Sequence, residues 1–345
     1  MKYAKLFSVL VFAVLGTYGA IGLYFLPLAG FEGDLTRVAK LPESLFGWTK
    51  PQPSINPDLL LSASWQDADV LVIGDSFSET RVWQSVLVKH GLRVRTEHWT
   101  SVRGVCEDFY PWLRAQGFKG THVIFEVIER NIEAGLPNSV NCGEQVYHPN
   151  VNADKLHAPP VTARKNTDLS GRLSVGVETW LNVMNYETLS RQPGFQTWSV
   201  PGGVRLERLA NGCELFSHPR CQDALFYGSD RVPDLSDEVL NNVQVLNSRV
   251  GDLTPIWVFM PDKSTVFLHP EKQFWDKAED RFLAPNVLKV MRQALTRKTV
   301  DLYPANNSHL STTGYLLLGD AVYQTIAPTL TTGKAERAAT LPGKP

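Results

Sequence analysis

A serine hydroxyl attacks a carbonyl only where a base can take its proton, and one serine in this chain is set up for that role. Ser76 follows Val70-Leu71-Val72-Ile73-Gly74-Asp75 and precedes Phe77-Ser78. The apolar run suits a strand covered on both faces, and a glycine at its end permits a sharp turn that lifts the next side chain into the open. A helix beginning just after the serine would aim unpaired N–H groups at a developing negative charge. The same residues also read as a Gly-Asp-Ser turn in which Ser76 caps the helix. Asp75 reads as a residue that fixes the turn through backbone N–H groups. Of eight histidines, His309 is the candidate base. Val300-Asp301-Leu302-Tyr303 ends an expected strand, Asn306 to Ser311 forms a loop, and Gly314-Tyr315 opens the last helix. Loops at the carboxyl edge of a parallel sheet are where such folds assemble their sites. His90, His98, His122, His148, His157, His218 and His269 lack that placement and read as surface or packing residues.

The elements that must position these groups alternate. Strands are expected at Val70 to Ile73, Arg93 to His98, Thr121 to Ile128, Pro255 to Met260 and, shorter, Thr299 to Tyr303. Helices are expected at Glu79 to His90, Glu107 to Gln116, Ser236 to Val250, Pro285 to Thr296 and Thr312 to Ile326. That order argues for an α/β fold, a parallel sheet with helices on both faces, spanning about residues 65–327. Between about 135 and 235 the pattern lapses into Pro, Gly, Asn and aromatic residues, which reads as a long insertion whose aromatic side chains need a core. Residues 31–64 carry Pro42, Pro51, Pro53 and Pro57 and read as an extended tether, and 328–345 as a loose tail. Nothing demands two domains.

Lys2 and Lys5 precede an uncharged apolar stretch from Leu6 to Leu28, about 23 residues and long enough to span a bilayer. The run continues past Gly19-Ala20 without a convincing cleavage site, which favours an N-terminal signal anchor within residues 1–30 over a cleaved peptide. The lysines would stay in the cytoplasm, leaving the rest of the chain outside it, in the periplasm or its equivalent. Four cysteines fit that oxidising compartment: Cys213 and Cys221 bracket a short polar loop and are expected to pair, leaving Cys106 with Cys142. With no Cys-x-x-Cys and no histidine at ligand spacing, neither a metal nor a cofactor is expected. A net charge of −1 without a basic block makes nucleic acid a poor partner.

Gly74-Asp75-Ser76-Phe77-Ser78 and His309-Leu310-Ser311 with Gly314-Tyr315 resemble the first and last blocks of the SGNH (GDSL-type) hydrolase superfamily, a three-layer, flavodoxin-like fold. Ser101-Val102-Arg103-Gly104 resembles its oxyanion-glycine block. Phe125 to Arg130 and Pro261-Asp262-Lys263-Ser264-Thr265-Val266-Phe267 resemble blocks of the alginate O-acetyltransferase-like branch. The resemblance implies Ser76 as nucleophile, His309 as base, and an oxyanion hole from the N–H groups of Ser76 and Gly104 with Arg130 as third donor. Arg130 could instead form a salt bridge to Glu126 or a neighbouring acid, with Asn131 as the alternative donor. Lys263 could steady a site loop or an anionic glycan, or be a surface lysine. The superfamily places an aspartate two or three residues before the histidine, where this chain has Asn306 and Asn307. Either asparagine could orient His309, Asp301 could fold back to do so, or the site could be degenerate and the protein a glycan-binding or assembly subunit.

The implied activity is a membrane-anchored, extracytoplasmic O-acetyltransferase acting on an exported polysaccharide through a serine acyl-enzyme. The implied acyl donor is a multispanning membrane acyltransferase, since acetyl-CoA is cytoplasmic. A carbohydrate acetyl esterase of the same fold would use identical chemistry with water as acceptor.

Overall fold

The computed structural model describes residues 2–26, 33–149 and 172–339. Its strands, in chain order, are β1 (Val70–Gly74), β2 (Val94–His98), β3 (His122–Ile128), β4 (Thr197–Val200), β5 (Val204–Arg208), β6 (Asp223–Tyr227) and β7 (Thr254–Met260). The chain divides into two compact units, one built from residues 1–52, 160–229 and 295–311, the other from 53–159, 230–294 and 312–345. Of the segment expected as an insertion, residues 172–229 share a unit with the N-terminal segment and the His309 loop, whereas 135–149 and 230–235 belong to the other unit.

The second unit holds a parallel sheet of order β2-β1-β3-β7. Val70 pairs with Val94 and His122, and β3 pairs with β7 from His122↔Thr254 to Ile128↔Met260. β1 and β3 are buried at every position, which is why β1 is a continuous apolar run and β3 departs from one only at His122 and Glu126. The helix Val82–Lys89 packs against Thr312–Ala339, and Asp237–Asn247 against Glu129–Val140. Backbone contact makes the first crossing tight, since a Cβ on Gly319 would lie 2.4 Å from the Trp83 carbonyl oxygen. The expected helix Glu79 to His90 is broken at Arg81, whose φ of 55° leaves the helical region. The last helix runs on through Pro328 to Ala339, and His122 meets Thr329 at 2.9 Å. The expected loose tail is therefore helical over 328–339; residues 340–345 and His157 lie outside the described residues.

The first unit holds the antiparallel sheet β4-β5-β6 and the helix Leu173–Leu189. The expected tether is the largest correction here. Residues 34–46 form the helices Asp34–Ala39 and Glu43–Phe46, and Leu35, Ala39, Leu41 and Phe46 are wholly buried with Tyr186, Val204, Leu206 and Leu225. Pro42 does not extend the chain; it sits at the N-cap of the second helix. Residues 53–64 are not a tether either. Ala63 donates to the Val94 carbonyl at 2.9 Å, and Leu60 is buried with its carbonyl accepting from Arg81. The expected strand Thr299 to Tyr303 is absent: Asp301 has φ 55°, incompatible with an extended run, and its N–H donates to the Leu215 carbonyl at 2.7 Å. Lys2–Phe25 is one helix of 24 residues whose 18-residue apolar stretch has a mean hydropathy of 2.1, long and apolar enough to cross a membrane. The disulfides are Cys106–Cys142 and Cys213–Cys221, the expected pairing.

Candidate active site

On the serine side, Gly74 ends β1 because nothing larger fits: a Cβ there would lie 2.2 Å from Ser78 Oγ and 2.7 Å from Glu126 Oε2. The helix cap is Asp75, whose Oδ1 accepts the Phe77 N–H at 3.0 Å. Ser76 is therefore the first helical residue and not the cap, which removes the alternative reading of its hydroxyl. Asp75 Oδ2 accepts the Ile128 N–H at 2.8 Å, so one carboxylate fastens the turn after β1 to the end of β3. Glu126 completes the fastening. Its Oε2 accepts the Asp75 N–H at 3.0 Å and the Ser78 hydroxyl at 2.8 Å. Burial, and next the Asp75 charge, push the Glu126 carboxyl well above its ordinary range.

The Gly104 block is tied to the same strand end. Trp99 donates its indole N–H to the Glu126 carbonyl at 2.7 Å, and the short helix Trp99–Val102 closes on Arg103 at φ 63°. Gly104 itself is buried, and a Cβ on it would sit 3.1 Å from Ser139 Oγ.

Arg130 opens the next segment, and its guanidinium donates to Asp262 Oδ1 at 2.6 Å with Asp230 at 3.5 Å. The ion-pair reading of Arg130 is thus realised, on Asp262 and not on Glu126. Asn131 is exposed on the same helix. Lys263 is 1 % exposed at the start of Lys263–Leu268, so it is not a surface lysine. Around them Glu129 accepts the Asp262 N–H at 2.9 Å, the Thr265 hydroxyl at 2.6 Å and the Lys272 ammonium. Burial pushes Asp230 and Asp262 up to about 6 each; Arg130 opposes this at both. Sequence reasoning missed Glu129, Asp230 and Lys272, which carry no motif and meet only through folding.

On the histidine side, the acid absent from the loop is supplied by Asp34. His309 Nδ1 lies 3.4 Å from Asp34 Oδ2 and 3.3 Å from Asn307 Oδ1, and Asn307 Oδ1 also accepts the His309 backbone N–H at 2.9 Å. Asp34 Oδ1 accepts the Ser308 N–H at 2.8 Å, and the Ser308 hydroxyl bonds Oδ2. Burial raises the Asp34 carboxyl, but hydrogen bonds and charge from His309, with Ser308, outweigh it and lower the group to about 2. Asp34 is thus ionised and aimed at the ring nitrogen that must carry the proton if Nε2 is to act as base.

Asp34 is held there by its own helix. Leu35 donates to the Asn306 carbonyl at 3.1 Å, and Asn306 donates its side-chain amide to Glu43. Glu43 in turn accepts the Gly33 N–H at 2.8 Å and the Thr36 hydroxyl at 2.7 Å. Of the expected orienting residues, Asn307 sits on the imidazole and Asn306 fastens the N-terminal segment. Both Asp301 carboxyl oxygens accept from Ser217, through its N–H at 3.0 Å and its hydroxyl at 2.5 Å. Gly33-Asp34-Leu35-Thr36-Arg37-Val38-Ala39, an acid opening a short helical apolar pattern, was the available signal. Its proline-rich surroundings obscured it.

Other histidines have packing roles: His122 is buried between Thr121 and Thr329, His218 Nδ1 lies 3.0 Å from the Leu45 carbonyl, and His90 stacks on Tyr323. Three residues after His309 begins the helix Thr312–Ala339, whose Tyr315 packs edge-on against Phe77, the neighbour of Ser76, with ring centroids 6.3 Å apart. No protein-family model, curated protein or solved structure matches this chain.

Proposed function

We propose that this protein is an extracytoplasmic serine O-acetyltransferase of the SGNH type, moving acetyl groups onto an exported polysaccharide. The observation that carries the reading is the ionised Asp34 against His309 Nδ1. A carboxylate in that position fixes the tautomer with a free Nε2 and stabilises the imidazolium formed in the reaction. It supplies the component whose apparent absence favoured a non-catalytic subunit. In the reaction, Ser76 Oγ attacks the acyl carbonyl as His309 takes its proton. The proton passes to the departing group, and a sugar hydroxyl then attacks the acyl-serine with His309 again as base. The N–H groups of Ser76 and Gly104 serve the oxyanion, with Asn131 as the third candidate donor because Arg130 is engaged by Asp262. Lys263 steadies the loop after β7 from within.

The N-terminal helix acts as a retained single-pass anchor in the cytoplasmic membrane, and the two disulfides agree with an oxidising compartment beyond it. The acyl group comes from a multispanning membrane acyltransferase. The reading expects helices on both faces of the parallel β2-β1-β3-β7 sheet, as in the three-layer arrangement of that superfamily. The test is acetyl content of the exported polysaccharide in cells carrying Ser76→Ala. The proposal expects acetylation to be lost with the protein still present in the membrane. Unchanged acetylation, or higher acetylation as an esterase would give, contradicts it.

A further inference from the structure

The helix Leu173–Leu189 has two faces of use. Gly176, Thr179, Asn182 and Tyr186 are buried, whereas Leu173, Leu181 and Met184 are 38 %, 47 % and 52 % exposed. With Val177 and Trp180, both half-buried, the exposed residues fall at intervals of three and four and form one apolar stripe about 100° wide. Soluble helices do not leave such a stripe to water without a reason.

Its position supplies the reason. The N-terminal helix Lys2–Phe25 packs on Leu173–Leu189 within the same unit. The contact is backbone to backbone: a Cβ on Gly176 would lie 1.9 Å from the Gly22 carbonyl oxygen, and one on Gly22 would lie 2.8 Å from the Leu173 carbonyl oxygen. Gly22 is in the last turn of the apolar helix, roughly 25 Å along its axis from Leu6 at 1.5 Å per residue, close to the far edge of a hydrocarbon core about 30 Å thick. Leu173 therefore meets the anchor at the level where it leaves the lipid. Leu23 and Tyr24, in the same turn of the anchor as Gly22, are exposed as well.

We propose that Leu173–Leu189 is an interfacial membrane helix, its Leu173, Val177, Trp180, Leu181 and Met184 stripe seated in the headgroup and acyl boundary of the bilayer that the anchor spans. Direct packing of this helix on the last turn of the apolar N-terminal helix selects lipid over a protein partner as the occupant. Trp180 is suited to that depth, having an apolar body and a polar N–H. Arg172, exposed at the N-cap, lies where lipid phosphates run. The inference rests on the proposed retention of the anchor, and it makes the first unit a membrane-apposed platform.

The test uses the full chain reconstituted in lipid vesicles, with a nitroxide placed on Leu181→Cys, Met184→Cys or, as the control on the polar edge of the helix, Asn185→Cys. All three positions are exposed, so substitution leaves the core intact. Collision rates with oxygen and with a water-soluble nickel chelate report depth, and intact mass reports whether residues 1–25 are retained. The expected result is a retained anchor with an oxygen-to-chelate ratio several-fold higher at 181 and 184 than at 185. A retained anchor with equal ratios at all three positions overturns the docking alone. Shielding of 181 and 184 from both reagents means a second copy covers the stripe, and also overturns it. A chain that has lost its N-terminus and washes off the vesicles overturns the anchor and this inference together.

Discussion

At the residue scale, the proposed reaction depends on Asp34 as the group that orients His309. An amide in the triad acid position permits the wrong imidazole tautomer and costs about 10⁴ in rate in serine proteases. Asp34→Asn is therefore expected to lower kcat by roughly 10³-fold with little change in KM, since Asn307 still contacts the ring. Steady-state kinetics on an activated acetyl ester checks this. The same carboxylate leaves a mark on stability. Its pKa falls from 3.8 to about 2 on folding, so between those values the unfolded chain binds more protons than the native one. Its contribution, on the order of 2 kcal/mol, is complete above about pH 4 and is lost as the pH falls through 2. Acid denaturation of Asp34→Asn should lack that component. Urea titrations at about pH 5 and about pH 3 should accordingly show the parent chain losing more stability between the two than the variant does. Nothing in the sequence marks Asp34 as a partner of His309, because the two are brought together by a segment whose prolines imitate a linker.

At the element scale, the parallel sheet was legible and the first unit, with its antiparallel sheet, was not. β1, β3 and β7 read clearly because strands buried on both faces are dominated by apolar residues. β4 and β5 were hidden by their brevity and by Gly202 and Gly203, which turn between them at φ 89° and 76°. The Thr299 to Tyr303 stretch looked like a strand from composition, yet the left-handed Asp301 turns it into a loop whose carboxylate holds Ser217. The segment after β3 is braced against the segment after β7 by Arg130 with Asp262 and Asp230. Arg130→Leu strips a buried pair of carboxylates of their cation and is expected to cost about 3–5 kcal/mol near pH 7.5. These two carboxyls titrate near 6 in the folded chain against 3.8 unfolded, so the native state binds more protons between those values and their cost grows as pH rises. Urea denaturation should therefore show a smaller loss for Arg130→Leu at about pH 5 than at about pH 7.5. An equal loss at both would mean that Arg130 acts by packing alone.

At the scale of the whole molecule, the residues named for the proposed chemistry are divided between the two units of the chain. Ser76 belongs to the parallel-sheet unit, and His309 and Asp34 to the unit that carries the N-terminal helix. Five short blocks in order suggested the proposed chemistry in the sequence, but the division into units was not legible. It depends on residues 1–52 returning to residues far along the chain, a pairing that no local pattern encodes. The most direct measurement is the intact mass of the full chain after brief exposure to an activated acetyl ester. The expected result is a single adduct of about 42 Da, one acetyl in place of a hydroxyl proton, mapping to Ser76, absent from Ser76→Ala and slow to form in Asp34→Asn. An unmodified wild-type chain, or an adduct that persists in Ser76→Ala, would contradict the account.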